Sequence, residues 1–213
     1  MRIWIFFALI SIPLWGAVPK TNPQIAAFLE AWGKTTSFEA DFKQTITYPK
    51  IGETETNQGH VWIIKPGKLR WDEENRSQKL SQILNGKKLT LITERVRNPG
   101  PRTIDVWKDG LSMIDKAAFG FLSEEKPLDK AYVLSIEKDS KNKLWLKLKT
   151  RTGNKDPVVA EISKSSYVLD ALSTETPESK VEIVFSNIKT SEEIDSKVFE
   201  WTEKKGKDRV HEH

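Results

Sequence analysis

The spacing of apolar residues along this chain changes period twice, and each change marks a change of predicted structure. Ile25, Phe28, Leu29 and Trp32 fall at i, i+3, i+4 and i+7, one stripe of a helix. Asn22-Pro23 starts it, with Asn as N-cap and Pro at the first helical position, and Gly33 closes it. From Phe38 the period becomes two. Phe38, Ala40, Phe42, Gln44, Ile46 and Tyr48 share one side of a strand, and Glu39, Asp41, Lys43 and Thr45 the other. Residues 49–59 read as a polar turn region. Strand patterns follow at 59–65, 68–72, 79–84, 88–93 and 102–107, with Asn85-Gly86 as a two-residue hairpin turn. They resume at 131–137, 143–150, 157–163, 167–173 and 181–187. In 143–150, Leu144, Leu146 and Leu148 alternate cleanly with Trp145, Lys147 and Lys149. Phe199 and Trp201 mark a last extended segment, and the charged tail from about 205 is expected to fray.

Residues 109–122 break the β pattern. Leu111, Ile114, Ala118, Phe121 and Leu122 approximate a helical stripe, which Met113, Ala117 and Phe119 widen. A segment so apolar is expected to bury most of its sides. Strands joined by short turns, with no run of βα units, predict a mainly β chain with antiparallel pairing.

The N-terminus adds a destination. Residues 1–17, MRIWIFFALISIPLWGA, have a positive charge at Arg2, an apolar run from Ile3 to Ile10 and the small pair Gly16-Ala17. This is the layout of a secretory signal, expected to be cleaved near Ala17. The apolar run falls short of the roughly 20 residues that a bilayer-spanning helix needs. Removing 17 of 213 residues leaves 196, enough for one domain over 18–213.

Composition mainly excludes. With 30% charged and 38% hydrophobic residues the chain is globular, and its net charge of +4 is interleaved with acids rather than concentrated, which speaks against nucleic acid as a partner. There is no cysteine, hence no disulfide, no thiol nucleophile and no lipid-bearing Cys after the signal. His60 stands alone beside a strand, and His211 and His213 lie in the tail. No metal set, cofactor motif or catalytic constellation emerges, so the chain reads as a non-enzyme. The unusual feature is aromatic. Six Trp follow the signal, and Trp62 and Ile64 alternate with Val61 and Ile63, so that strand has two apolar faces. A sheet covered on one side needs only one. Either both faces are packed, or the sheet curves around an apolar cavity plugged by removable helices.

An ordered set of segments then carries a resemblance. It runs from the N-terminal helix through Phe42-Lys43-Gln44, Gly59-His60-Val61-Trp62 and Lys65-Pro66-Gly67-Lys68-Leu69-Arg70-Trp71. It continues through Ile83-Leu84-Asn85-Gly86-Lys87 and ends at Val181-Glu182-Ile183-Val184-Phe185-Ser186-Asn187 and Val198-Phe199-Glu200-Trp201. The chain resembles the LolA family of periplasmic outer-membrane lipoprotein carriers. The resemblance implies an incomplete, strongly curved antiparallel β-barrel of about 10–11 strands, with a helical lid over an apolar cavity. It implies a monomer in the periplasm that takes acylated lipoproteins from an inner-membrane ABC-type release complex and hands them to an outer-membrane receptor lipoprotein. A lipid- or partner-binding regulatory module on the same fold is the alternative. The lining expected for acyl chains is Phe42, Trp62, Ile64, Leu69, Trp71, Ile83 and Leu91, with Met113, Ile114, Phe119 and Phe121 from the lid helix at 109–122. By the same resemblance, Lys65 is the residue tied to lid closure and cargo transfer. It stands where the best-known members carry Arg, and Lys keeps the charge but not the planar fork.

Overall fold

The computed structural model describes residues 22–110, 127–152 and 156–213. The signal segment and most of the expected lid segment, with Met113, Ile114, Phe119 and Phe121, lie outside the described residues. Helix α1 (Pro23–Lys34) begins as its sequence predicts: the Asn22 side chain accepts a bond from the Gln24 N–H, 2.9 Å away, and Pro23 follows it. Its stripe of Ile25, Phe28 and Trp32 is buried.

Among the described residues, twelve strands form one open sheet. In chain order they are β1 (Ser37–Tyr48), β2 (Glu53–Ile64), β3 (Lys68–Glu74), β4 (Gln78–Asn85), β5 (Lys88–Arg95) and β6 (Arg102–Trp107). After the short helix α2 (Leu128–Ala131) come β7 (Tyr132–Asp139), β8 (Lys143–Thr150), β9 (Val158–Ser163), β10 (Leu169–Glu175), β11 (Lys180–Thr190) and β12 (Asp208–Glu212). The spatial order is β12-β6-β5-β4-β3-β2-β1-β11-β10-β9-β8-β7. Two antiparallel meanders thus meet where β1 pairs with β11. Among the described residues, no helix is long and apolar enough to cross a membrane.

The alternation along each strand sorts side chains onto two faces. Phe38, Ala40 and Phe42, Val61 and Ile63, Leu69 and Trp71, and the Leu144-Leu146-Leu148 series all join α1 in one large core. We call this the inner face. On the outer face a smaller cluster of Ile83, Ile92, Ile104 and Val106 packs with Trp62 and Ile64. A strap after β11 covers it with Ile194, Val198, Phe199 and Trp201. Arg70 Nη1 donates to the Val198 carbonyl at 3.0 Å and Asn85 Nδ2 to that of Phe199 at 3.5 Å, which seats the strap. The two apolar faces of β2 are therefore both packed.

Three expectations are corrected. The polar stretch before Gly59 is not a turn region, because β2 begins at Glu53 and Tyr48 to Gly52 suffice for the turn. Phe199 ends a short 3-10 turn (Ser196–Phe199) instead of lying in an extended segment. The tail does not fray throughout, since Asp208–Glu212 adds to the sheet edge as β12, parallel to β6. Its anchor is ionic: Arg102 Nε and Nη2 each lie 2.7 Å from one Asp208 carboxylate oxygen. The Lys204 N–H also donates to Asp208, at 2.6 Å. The Arg102 bond, above all, draws the Asp208 carboxyl down to about 2.

A carboxyl held below its unfolded value stabilises the fold above that value, and the effect is lost as pH falls through the folded pKa. Acidification from about pH 4 to pH 2 is expected to loosen β12. Asp208→Asn should do the same at neutral pH, accelerating amide exchange in β12 while β1 to β3 stay protected. Equal protection of β12 in the variant and the parent chain would contradict this anchor.

Candidate functional site

The site is built on the inner face around Phe42 and Trp71. Their rings stack with centroids 3.8 Å apart at 26°. Such offset pairs are worth about 0.5–1.5 kcal/mol beyond simple burial. The stack exists because Gly59, on the strand between those of Phe42 and Trp71, lies opposite Phe42 and carries no side chain. A Cβ at Gly59 would come 2.7 Å from Phe42 Cζ and 1.9 Å from the Asp72 carbonyl oxygen. The bare backbone lets the ring cross β2. Phe42, Leu69 and Trp71 are 3%, 2% and 0% exposed, so the surface expected to meet acyl chains is filled by the protein's own side chains. Leu91 is half-buried against the same core.

The other expected lining residues are not brought there. Trp62, Ile64 and Ile83 point to the outer face, under or beside the strap. One residue's shift in parity separates Ile63 from Ile64 and Leu84 from Ile83, and no pattern of apolar residues alone tells the two sides apart when both are apolar. Beside Trp62 an open cleft of about 830 Å³ is lined by mixed charge, including Asp41, Lys43, His60 and Asp72.

Lys65 follows β2 and reaches the end of α1. Its Nζ donates to the Trp32 carbonyl at 2.8 Å and sits 3.5 Å from the centroid of the Trp32 ring. The last carbonyls of a helix lack the usual i+4 donor, so an ammonium here meets a carbonyl acceptor, the negative end of the helix and an aromatic face together. The Thr35 N–H shares the same carbonyl at 3.2 Å. Lys65 thus ties α1 to the sheet. Burial pushes its pKa from the ordinary 10.5 down to about 7.

His60 is not alone. Its Nδ1 lies 2.7 Å from Asp41 Oδ1 on the neighbouring strand, and its ring packs 4.1 Å from that of Trp62. Asn187 Nδ2 donates to the other Asp41 oxygen at 2.7 Å, and this bond, with that of His60, keeps Asp41 ionised below its usual range. Cross-strand register creates the pair, and a linear reading of spacing misses it. Among the described residues no group of three His, Cys, Asp or Glu side chains is arranged to hold a metal.

With this geometry in place, comparison with known proteins is informative. The sequence profile of the family described as outer membrane lipoprotein carrier protein LolA matches residues 33–202. The chain belongs to the LolA family. No curated protein matches it. Solved structures resemble it at low identity. A LolA superfamily protein from Nitrosomonas europaea is 11% identical, covers 83% of this chain and 97% of its own, and superposes with a TM-score of 0.45. A putative outer membrane lipoprotein-sorting protein domain from Vibrio parahaemolyticus is also 11% identical, over 83% and 94%, with a TM-score of 0.43. A Pseudomonas aeruginosa MucA/MucB complex matches 84% of this chain and 60% of the other at 11% identity, with a TM-score of 0.39. In this chain the family match falls on an open, mainly antiparallel sheet.

Two outcomes follow from the LolA-family site. Gly59→Ala should destabilise the fold by about 1–3 kcal/mol, the cost of an overpacked core, read from urea unfolding. For Lys65, the unfolded chain holds its proton up to about 10.5 and the folded one only to about 7, so stability should rise with pH across that window. The slope should stay below the limit of about 1.4 kcal/mol per pH unit, since the ammonium keeps part of its solvent. Lys65→Met should lack the rise, and a parallel pH dependence in the two proteins would show that Lys65 is not the titrating group.

Proposed function

We propose that the chain is a non-enzymatic periplasmic carrier that shelters the acyl chains of lipoproteins against its inner sheet face and passes them from the inner to the outer membrane. One observation carries the reading: a broad apolar sheet face is covered by a helix whose polar ties to the sheet are few, Gln24 to Asp139 at its start and Lys65 to Trp32 at its end. Such a cover is removable. Burying Ile25, Phe28 and Trp32 stabilises it by about 5–9 kcal/mol at 1.5–3 kcal/mol per side chain. An acyl chain gains about 0.8 kcal/mol per buried methylene, so one chain of ordinary length yields roughly 11 kcal/mol. The two quantities are of one size. Helix and acyl chain can therefore exchange on the same surface without either state becoming a trap. The Lys65 contact to Trp32 is broken when α1 lifts, and its ammonium then regains water. Membership in the LolA family supports this reading, with a release complex, a receptor and lipoprotein cargo as the expected partners.

The test is direct. The full chain, purified from the periplasm, is incubated with a triacylated lipopeptide and with membranes bearing labelled lipoproteins. A carrier should bind the lipopeptide near one to one, with a change in fluorescence from Trp71, and should carry label into solution. Leu69→Asp should lower binding at least tenfold. A chain that binds the lipopeptide but never removes lipoprotein from membranes would favour the regulatory-module reading, and one that does neither would overturn both.

A further inference from the structure

The register of β1 to β4 lays the inner face out in rows. Phe38, Ile63, Leu69 and Leu84 form the first, and Ala40, Val61, Trp71 and Gln82 the second. Phe42, Gly59, Glu73 and Leu80 form the third, and Gln44 and Asn57 begin the fourth. The face therefore runs from wholly apolar to polar within four rows. At its polar end Asn57 is only 5% exposed. Its Nδ2 donates to Gln44 Oε1 at 3.2 Å, but its Oδ1 is shut away from solvent and has no hydrogen-bond partner. Glu73, half-buried beside it in the third row, accepts the Trp71 indole N–H at 3.2 Å. Burial, more than the nearby Glu55 charge, raises the Glu73 pKa, against the bond from Trp71.

A buried acceptor without a donor is costly, and native structures hold few of them. An apolar residue of the same size would remove that cost, so a retained one calls for a use. We propose that Asn57 is the head-group acceptor of the acyl site: its carbonyl receives an N–H or O–H from the polar end of an acylated ligand whose chain lies along the apolar rows. Gln44 fixes the Asn57 amide, and the Phe42-Trp71 stack marks where chain gives way to head. The inference rests on the acyl-binding reading above and adds a selectivity to it. The matching chemistry is a donor next to an acyl carbonyl. An N-acylated chain terminus offers an amide N–H, and a glycerolipid offers a hydroxyl.

Three probes separate the cases on the full chain: N-palmitoylglycinamide, monopalmitoylglycerol and methyl palmitate, which has no donor, each displacing a bound fluorescent fatty acid. The parent chain should prefer a donor-bearing probe over methyl palmitate by about tenfold, the worth of one hydrogen bond. Whether amide or glycerol binds more tightly tells which source the site suits. Asn57→Leu should bind all three probes alike, with unchanged affinity for methyl palmitate and a raised thermal midpoint. If that variant does not fold, Asn57→Ala takes its place in the same comparison. A parent chain without preference, or a preference that survives loss of Asn57, overturns the assignment while acyl binding stands. Failure of the parent chain to bind any probe overturns both.

Discussion

A sheet whose strands carry large apolar side chains on both faces must be covered twice, and almost everything else in this molecule follows from how each cover is attached. β2 and β3 set the problem. Val61, Ile63, Leu69 and Trp71 point one way, and Trp62 and Ile64 the other. On the outer face the answer is a strap that continues from β11 and ends in β12, seated by bonds from Arg70 and Asn85 and closed by the Arg102-Asp208 pair. On the inner face it is α1, an amphipathic helix joined to β1 by a short turn and fixed to the sheet through Lys65.

The two attachments differ in kind. The strap is bound along its length by side chains of three strands, and a bidentate arginine–carboxylate pair locks its end. α1 depends on its apolar stripe, on the bond from Gln24 to Asp139 of β7 and on the Lys65 ammonium at its last turn. Guanidinium and ammonium are not equivalent there: a guanidinium could bond several carbonyls in a plane, whereas Lys65 meets one carbonyl and one ring face. Its lowered pKa shows that the closed state disfavours its charge. Lifting α1 returns that ammonium to water. Opening is therefore opposed by lost apolar contact and partly favoured by recovered hydration, which keeps the difference between closed and open states small.

The sequence makes much of this legible, where a single physical rule decides. The helix start at Asn22-Pro23, the leucine alternation of β8 and the Asn85-Gly86 turn each rest on local chemistry that tertiary context does not override. The candidate site is only half legible. Phe42, Leu69 and Trp71 share the inner face, yet Trp62, Ile64 and Ile83 do not, because period-two alternation gives the separation of faces and not their identity. Polar partners escape for a related reason. The His60-Asp41 and Arg102-Asp208 pairs join residues far apart in the chain, and only cross-strand register places them together. The tail looked unstructured since its residues are charged, but charge that finds a partner across a strand edge is itself a means of pairing.

A removable cover also needs a fold that survives its removal. The outer cluster under the strap does not involve α1, and the backbone ladder that joins β8, β9 and β10 does not run through it either. Without disulfides, these are the contacts left to hold the sheet in shape while its inner face is exchanged. The aromatic content is thus divided by task. Trp62 and Trp201 belong to the permanent outer packing. Phe28, Trp32 and Phe38 line the surface between helix and sheet, with the Phe42-Trp71 stack in the same core, and rigid rings give large contact area with few rotatable bonds to reorder. Under the proposed carrier role, a face built this way is the one to be vacated and refilled, because rigid rings need little rearrangement of their own.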